Sequence, residues 1–140
     1  KIHADPDSLW QAGIAVAKKG RRIMDQRKYH MGLVSGGARG LHHFTEMVGA
    51  DAAVTINWEG TADKLLMRDG IVIDRFHGET SPDVLEELLE QVPDFRRAYE
   101  RKGLKPEEYE SFAPVVRFRN SFESAWKKTL EYMEQRRTEL

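Results

Sequence analysis

Between Ser35 and Gly40 the chain reads Ser-Gly-Gly-Ala-Arg-Gly, three glycines around a single guanidinium. Glycines let backbone N–H groups turn toward a ligand with no Cβ in the way. Arg39 adds positive charge and a planar fork of donors that matches phosphate oxygens. The free N–H groups of a helix starting just after the loop would also favour an anion. The spacing is neither that of a P-loop nor that of the dinucleotide fingerprint. On pattern alone two readings stand: an anion cradle, or a tight turn that carries an ordinary surface arginine.

Other chemistry is sparse. His42 and His43 are adjacent, so on a helix they point about 100° apart and make no two-ligand face. Adding His30 and Glu46 yields no tight ligand motif, and no metal site is expected. Asp74-Arg75-Phe76-His77-Gly78-Glu79 reads as an acid/base pair or, preferably, as a polar surface turn. With no cysteine there is neither a thiol nucleophile nor a disulfide framework. No Gly-x-Ser-x-Gly elbow is present. A Schiff-base lysine needs a desolvated site, and every lysine here falls in a polar or helical context. Lys18, Lys19, Arg21, Arg22, Arg27 and Lys28 could form a phosphate or nucleic-acid patch, but the preferred reading is a solvated helix face.

These residues need elements to place them. Asp5-Pro6-Asp7-Ser8 is a helix start, followed by Leu9, Trp10, Ile14, Ala17 and Met24 at helical spacing. Met31 to Ser35 reads as a short buried strand. Leu41, Phe44, Met47 and Val48 suit a short helix stopped by Gly49. Ala52 to Ile56 is a second buried strand, and Thr61 to Met67 holds a helical turn or two. Apolar strands alternating with amphipathic helices predict a parallel sheet covered by helices. Beyond Met67, Asp69-Gly70 marks a turn and Ile71-Val72-Ile73 a candidate strand. Ser81-Pro82-Asp83 opens a helix whose core face is Val84, Leu85, Leu88 and Val92, broken at Pro93. Phe95 to Arg101 suits another helical turn, and Pro106-Glu107-Glu108 opens a short acidic helix. Pro114 begins the last long helix, with an apolar stripe of Val115, Phe118, Phe122, Trp126, Leu130 and Met133 that reads as packing.

The length of 140 residues allows one domain with a core of its own. A net charge of -1 argues against a general nucleic-acid binder. No stretch approaches the ~18 apolar residues of a membrane span, and no signal peptide is recognisable. The expectation is a cytoplasmic protein with no nucleic-acid or membrane partner.

The segment from Ile14 to Ile56 resembles the C-terminal part of a transaldolase barrel. The resemblance rests on Gln11-Ala12-Gly13-Ile14-Ala15-Val16-Ala17-Lys18 and on Gly32-Leu33-Val34-Ser35-Gly36-Gly37-Ala38-Arg39-Gly40. It continues through His43 to Asp51 and Val54-Thr55-Ile56, about a third of the chain. It implies an α/β fold: the C-terminal portion of a (β/α)8 TIM barrel over residues 1–68, and a mainly helical extension over 69–140 that packs on the barrel. Transaldolases move a dihydroxyacetone unit between sugar phosphates through a Schiff base on a barrel lysine, with no cofactor. In that family an arginine after strand seven binds the substrate phosphate. It aligns with Arg39, and Ser35, Gly36 and Gly37 would assist it. Many members carry a serine two residues before that arginine; here the position is Gly37, which removes one hydroxyl contact. The family's lysine and acid/base residues sit on earlier strands with no counterpart here. A whole barrel takes about 250 residues, so the resemblance implies a C-terminal piece of a longer enzyme, or a chain completed by a companion that supplies the nucleophile. The partners implied are a sugar phosphate, the remainder of the barrel and, in an assembly, further copies of the chain. The alternative is a non-catalytic sugar-phosphate-binding or subunit protein derived from the same barrel.

Overall fold

The computed structural model describes residues 3–38 and 40–139; Arg39 lies outside the described residues. The chain divides into two units, Lys1–Tyr99 and Glu100–Leu140. The first unit is mixed α/β. It comprises α1 (Pro6–Gln26), β1 (Leu33–Ala38), α2 (His42–Thr45), β2 (Ala52–Ile56), a wide turn at Trp58–Ala62, α3 (Asp63–Leu66), α4 (Pro82–Gln91) and α5 (Pro93–Tyr99).

Helix α1 starts where its sequence says it should. The Asp5 carboxylate accepts the Asp7 N–H at 2.8 Å, and Pro6 occupies the first turn, where it sacrifices no hydrogen bond. A distant residue completes the start: Glu87 on α4 accepts the Asp5 N–H at 2.7 Å and the Ser8 hydroxyl at 2.6 Å. The core lies between α1 and the α4–α5 pair. Ala15, Leu88 and Phe95 are buried at its centre, and Ala12, Val16, Val84, Leu85, Leu89, Val92 and Tyr99 pack around them. Helix α4 begins at Pro82 as expected, although the Ser81 side chain makes no capping hydrogen bond. Pro93 ends α4 and also opens α5, because its fixed φ suits a first helical turn.

Among the described residues the sheet has two strands. β1 and β2 run parallel, with Leu33 paired to Ala52 and Ser35 to Val54. The expectation of buried strands fails here. Burial alternates along both strands, and Val34 is 69% exposed. Within the described residues no helix covers that face, so only one side of the ribbon is shielded. Ile71-Val72-Ile73 is not a strand either. Ile71 and Val72 are 90% and 81% exposed, and no strand edge receives their backbone. Apolar, β-branched composition favours a strand only where a partner edge exists.

Lys18 is the largest departure inside α1. Expected on a solvated face, it is 3% exposed. Its ammonium donates to Glu46 Oε2 at 2.9 Å and to the carbonyls of Arg75 at 2.8 Å and Gly78 at 3.3 Å. Three donors meet three acceptors, which is how a buried ammonium becomes tolerable. Lys19 donates to the Tyr99 carbonyl and lies over the Tyr99 ring. Arg21 holds Asp25 and Asp51, and Arg22 reaches the Gly78 carbonyl. Much of the basic cluster is therefore spent on internal oxygens. Of the apolar residues expected at helical spacing along α1, Ile14 is buried, whereas Leu9 and Trp10 are exposed at its start.

The second unit holds a 3-10 turn at Pro106–Glu108 and α6 (Ala113–Thr138). The Lys105 N–H donates to Glu108 Oε2 at 2.9 Å, closing that turn. The apolar stripe of α6, expected to be packed, is exposed from Val115 to Met133. No described helix is long and apolar enough to cross a membrane.

Two substitutions test this account. Leu88→Ala removes a fully buried side chain and is expected to cost about 3 kcal/mol in urea denaturation. Lys18→Met leaves Glu46 and two carbonyls short of a donor and is expected to cost a similar ~3 kcal/mol. A loss below about 1 kcal/mol at either position would contradict the packing described.

Candidate functional site

The glycine loop grows directly out of β1. Ser35 pairs with Val54 and Ala38 with Ile56, so one extra residue is accommodated between them as a β-bulge. Gly37 carries it with φ of 73°, a conformation that a side chain would strain. A serine at this position would not fit this backbone without cost. A Cβ built on Gly36 or Gly37 meets nothing within 4 Å, so no packing demand accounts for these two glycines and their backbone faces open space. Ser35 is half-buried, and Gly36 and Gly37 are exposed. Arg39, the residue expected to carry the charge, falls outside the described residues.

The following helix corrects one expectation. Helix α2 is a single turn of four residues, His42–Thr45. So short a helix has little macrodipole to offer an anion. The Gly40 N–H is also engaged, donating to His43 Nδ1 at 3.2 Å. Any anion recognition must therefore rest on the loop itself.

Beside the loop the fold assembles a cluster that sequence reasoning missed. The His42 and His43 rings lie 4.0 Å apart, and Trp10 meets both edge-on at 5.1 and 5.7 Å. An open cavity of about 570 Å³ is lined by Asp7, Trp10, Gln11, Gly40 and His42. The available signal was directional: α1 starts at the level where β1 ends, so its first-turn residues flank the loop. Burial, and then the neighbouring His42, hold the His43 imidazole below its ordinary value of 6.5.

Asp74 and His77 form an exposed pair, with Asp74 Oδ2 at 2.8 Å from His77 Nδ1. This bond is the main reason the Asp74 carboxyl sits below its ordinary value. Asp74 Oδ1 also accepts the His77 N–H, which makes this a self-capped polar turn. The turn is anchored by Phe76, which is buried, and by the Val48 carbonyl, which accepts the Arg75 and Phe76 N–H groups at 3.1 and 3.0 Å. Gly49, at φ 95°, lets the Asp74 carboxylate come so close that a Cβ would collide with it. Among the described residues no group of three or more His, Asp or Glu could hold a metal ion.

Comparison of the chain with protein-family models, with curated proteins and with solved structures finds no match.

The depressed His43 makes a pH prediction. With its folded pKa below the unfolded one, the unfolded chain binds more protons in the acid range. The stabilisation is complete above pH 6.5 and is lost as pH falls through the folded pKa. Asp74 follows the same sign but acts only below about its ordinary 3.8. Denaturation at pH 7.5 and 5.5 should show lower stability at 5.5, and His43→Gln should flatten that difference. An unchanged slope in the variant would assign the acid sensitivity elsewhere.

Proposed function

We propose that this chain carries the phosphate-binding loop of a transaldolase-like barrel and forms its C-terminal part. The enzyme would be a transferase that moves a dihydroxyacetone unit between sugar phosphates through a Schiff base. The observation that carries the reading is the bulged Ser35-Gly36-Gly37 segment. It ends a parallel strand, leaves its backbone open to a ligand, and is followed at once by the chain's Arg39. Ligands of parallel α/β folds bind at the carboxyl ends of the strands.

The sheet supports the same reading. A helix-linked parallel pair with two open edges and an uncovered Val34 is what a segment cut from a closed barrel would present. Strands on either side would pair those edges. The lysine chemistry would come from outside this chain. Lys18 is buried, but it sits in the middle of α1 with each ammonium proton committed to an oxygen, and it faces no open space that a substrate carbonyl could enter.

In this scheme Arg39 binds the sugar phosphate through its guanidinium fork, and the Gly36 and Gly37 backbone permits the close approach. Arg39→Ala in the complete enzyme is expected to raise the sugar-phosphate KM about ten- to hundred-fold, the cost of losing a charge-assisted hydrogen-bonding group. Borohydride trapping of the Schiff base should survive on the remaining chain. An unchanged KM removes Arg39 from the site. An adduct on this chain itself would overturn the assignment of the nucleophile. Phosphate binding with no adduct on any chain would favour the alternative of a non-catalytic binding module.

A further inference from the structure

Helix α6 presents a row of six large apolar side chains to solvent along one face, with Tyr132 exposed to one side of it. Val115, Phe118, Phe122, Trp126, Leu130 and Met133 are 44–63% exposed, and every described residue from Arg117 to Glu139 is exposed. At 100° per residue the six fall within about 120° of the helix circumference, a single continuous stripe. A stripe this apolar on a 26-residue helix calls for an occupant.

The spacing says which. The stripe is a palindrome about Ser124. Phe122 and Trp126 lie two residues to either side of it, Phe118 and Leu130 six, and Val115 and Met133 nine. If a second α6 runs antiparallel about a two-fold axis at the level of Ser124, every apolar residue meets one from the copy at its own height. Phe122 meets Trp126, Phe118 meets Leu130, and Val115 meets Met133. A parallel copy would instead stack each residue on itself.

The area is sufficient. Twelve apolar side chains contributing on the order of 100 Å² each bury roughly 1,200 Å², the lower edge of a stable interface.

We propose that the α6 stripe is a self-association surface, and that two copies of this chain pair through antiparallel α6 helices centred on Ser124. This pairing is isologous, as closed two-fold assemblies require, and it is independent of the role of the glycine loop.

The absence of cysteine makes the test clean. Single variants Val115→Cys and Met133→Cys are prepared in the full chain and treated with a short bis-maleimide, separately and mixed. The expected result is a crosslinked dimer only in the mixture, because like positions in the antiparallel pair stand about 27 Å apart. Sedimentation equilibrium should show a dimer for the parent chain and a monomer for the double variant Phe122→Asp, Trp126→Asp. Both substitutions are on exposed positions, so circular dichroism should remain that of the parent. Crosslinks within either single-variant sample, no crosslinks in any sample, or a monomeric parent chain would each overturn the proposal.

Discussion

The Lys18 ammonium is the interaction on which the first unit is organised. It gathers Glu46, just beyond α2, and the carbonyls of Arg75 and Gly78 into one shell around a side chain from α1. Arg75 also approaches Glu46 through its guanidinium, at 3.6 Å. A charge removed from water is stable only if its whole hydrogen-bonding capacity is met. The three segments are thus obliged to arrive together. The Asp74–Gly78 turn has no regular structure of its own, and its conformation is set by this shell, by the two amides on the Val48 carbonyl and by buried Phe76. Gly49 supplies the room that the turn requires.

Helix α1 consequently has a different partner at each stage of its length. Its first turn is completed by Glu87, its middle packs on Leu88 and Phe95, and Lys18, Lys19, Arg21 and Arg22 bind the carbonyls of Arg75, Gly78, Tyr99 and Asp51. The glycine loop and the Trp10–His42–His43 cluster inherit their positions from this helix. Trp10 stands one turn after the cap, so the contact that fixes where α1 begins also fixes how far Trp10 stands from the two imidazoles.

Much of this was legible in the sequence, for reasons that can be named. Asp5-Pro6, Ser81-Pro82 and Pro114 are local signals whose physics acts within a turn, and helices begin at or beside each. Ala52 to Ile56 is bounded as expected, because a short β-branched run between polar residues has few alternatives. The failures share a cause. Lys18 looks like any surface lysine on a helical wheel, since its acceptors are carbonyls up to 60 residues away that no pattern encodes. Ile71 to Ile73 has strand composition but no edge to join. The α6 stripe has core periodicity, yet periodicity specifies only that a face is apolar. The Ser35–Gly40 loop was readable as a place where backbone is exposed. Its bulge and the one-turn α2 were not, because both depend on how β1 meets β2.

The bulge in β1 also sets a phase. Leu33, Ser35 and the strand-pairing partners Ala52, Val54 and Ile56 lie on the more shielded side, while Val34 and Gly36 lie on the other. Strict alternation would place Ala38 with Val34 and Gly36, in solvent. One inserted residue reverses the parity, and Ala38 is buried at 6% exposure. The Gly36–Gly37 pair therefore acts less as a flexible spacer than as an odd-numbered step. Removing or adding a single residue there would leave the loop almost the same length and turn everything beyond it inside out.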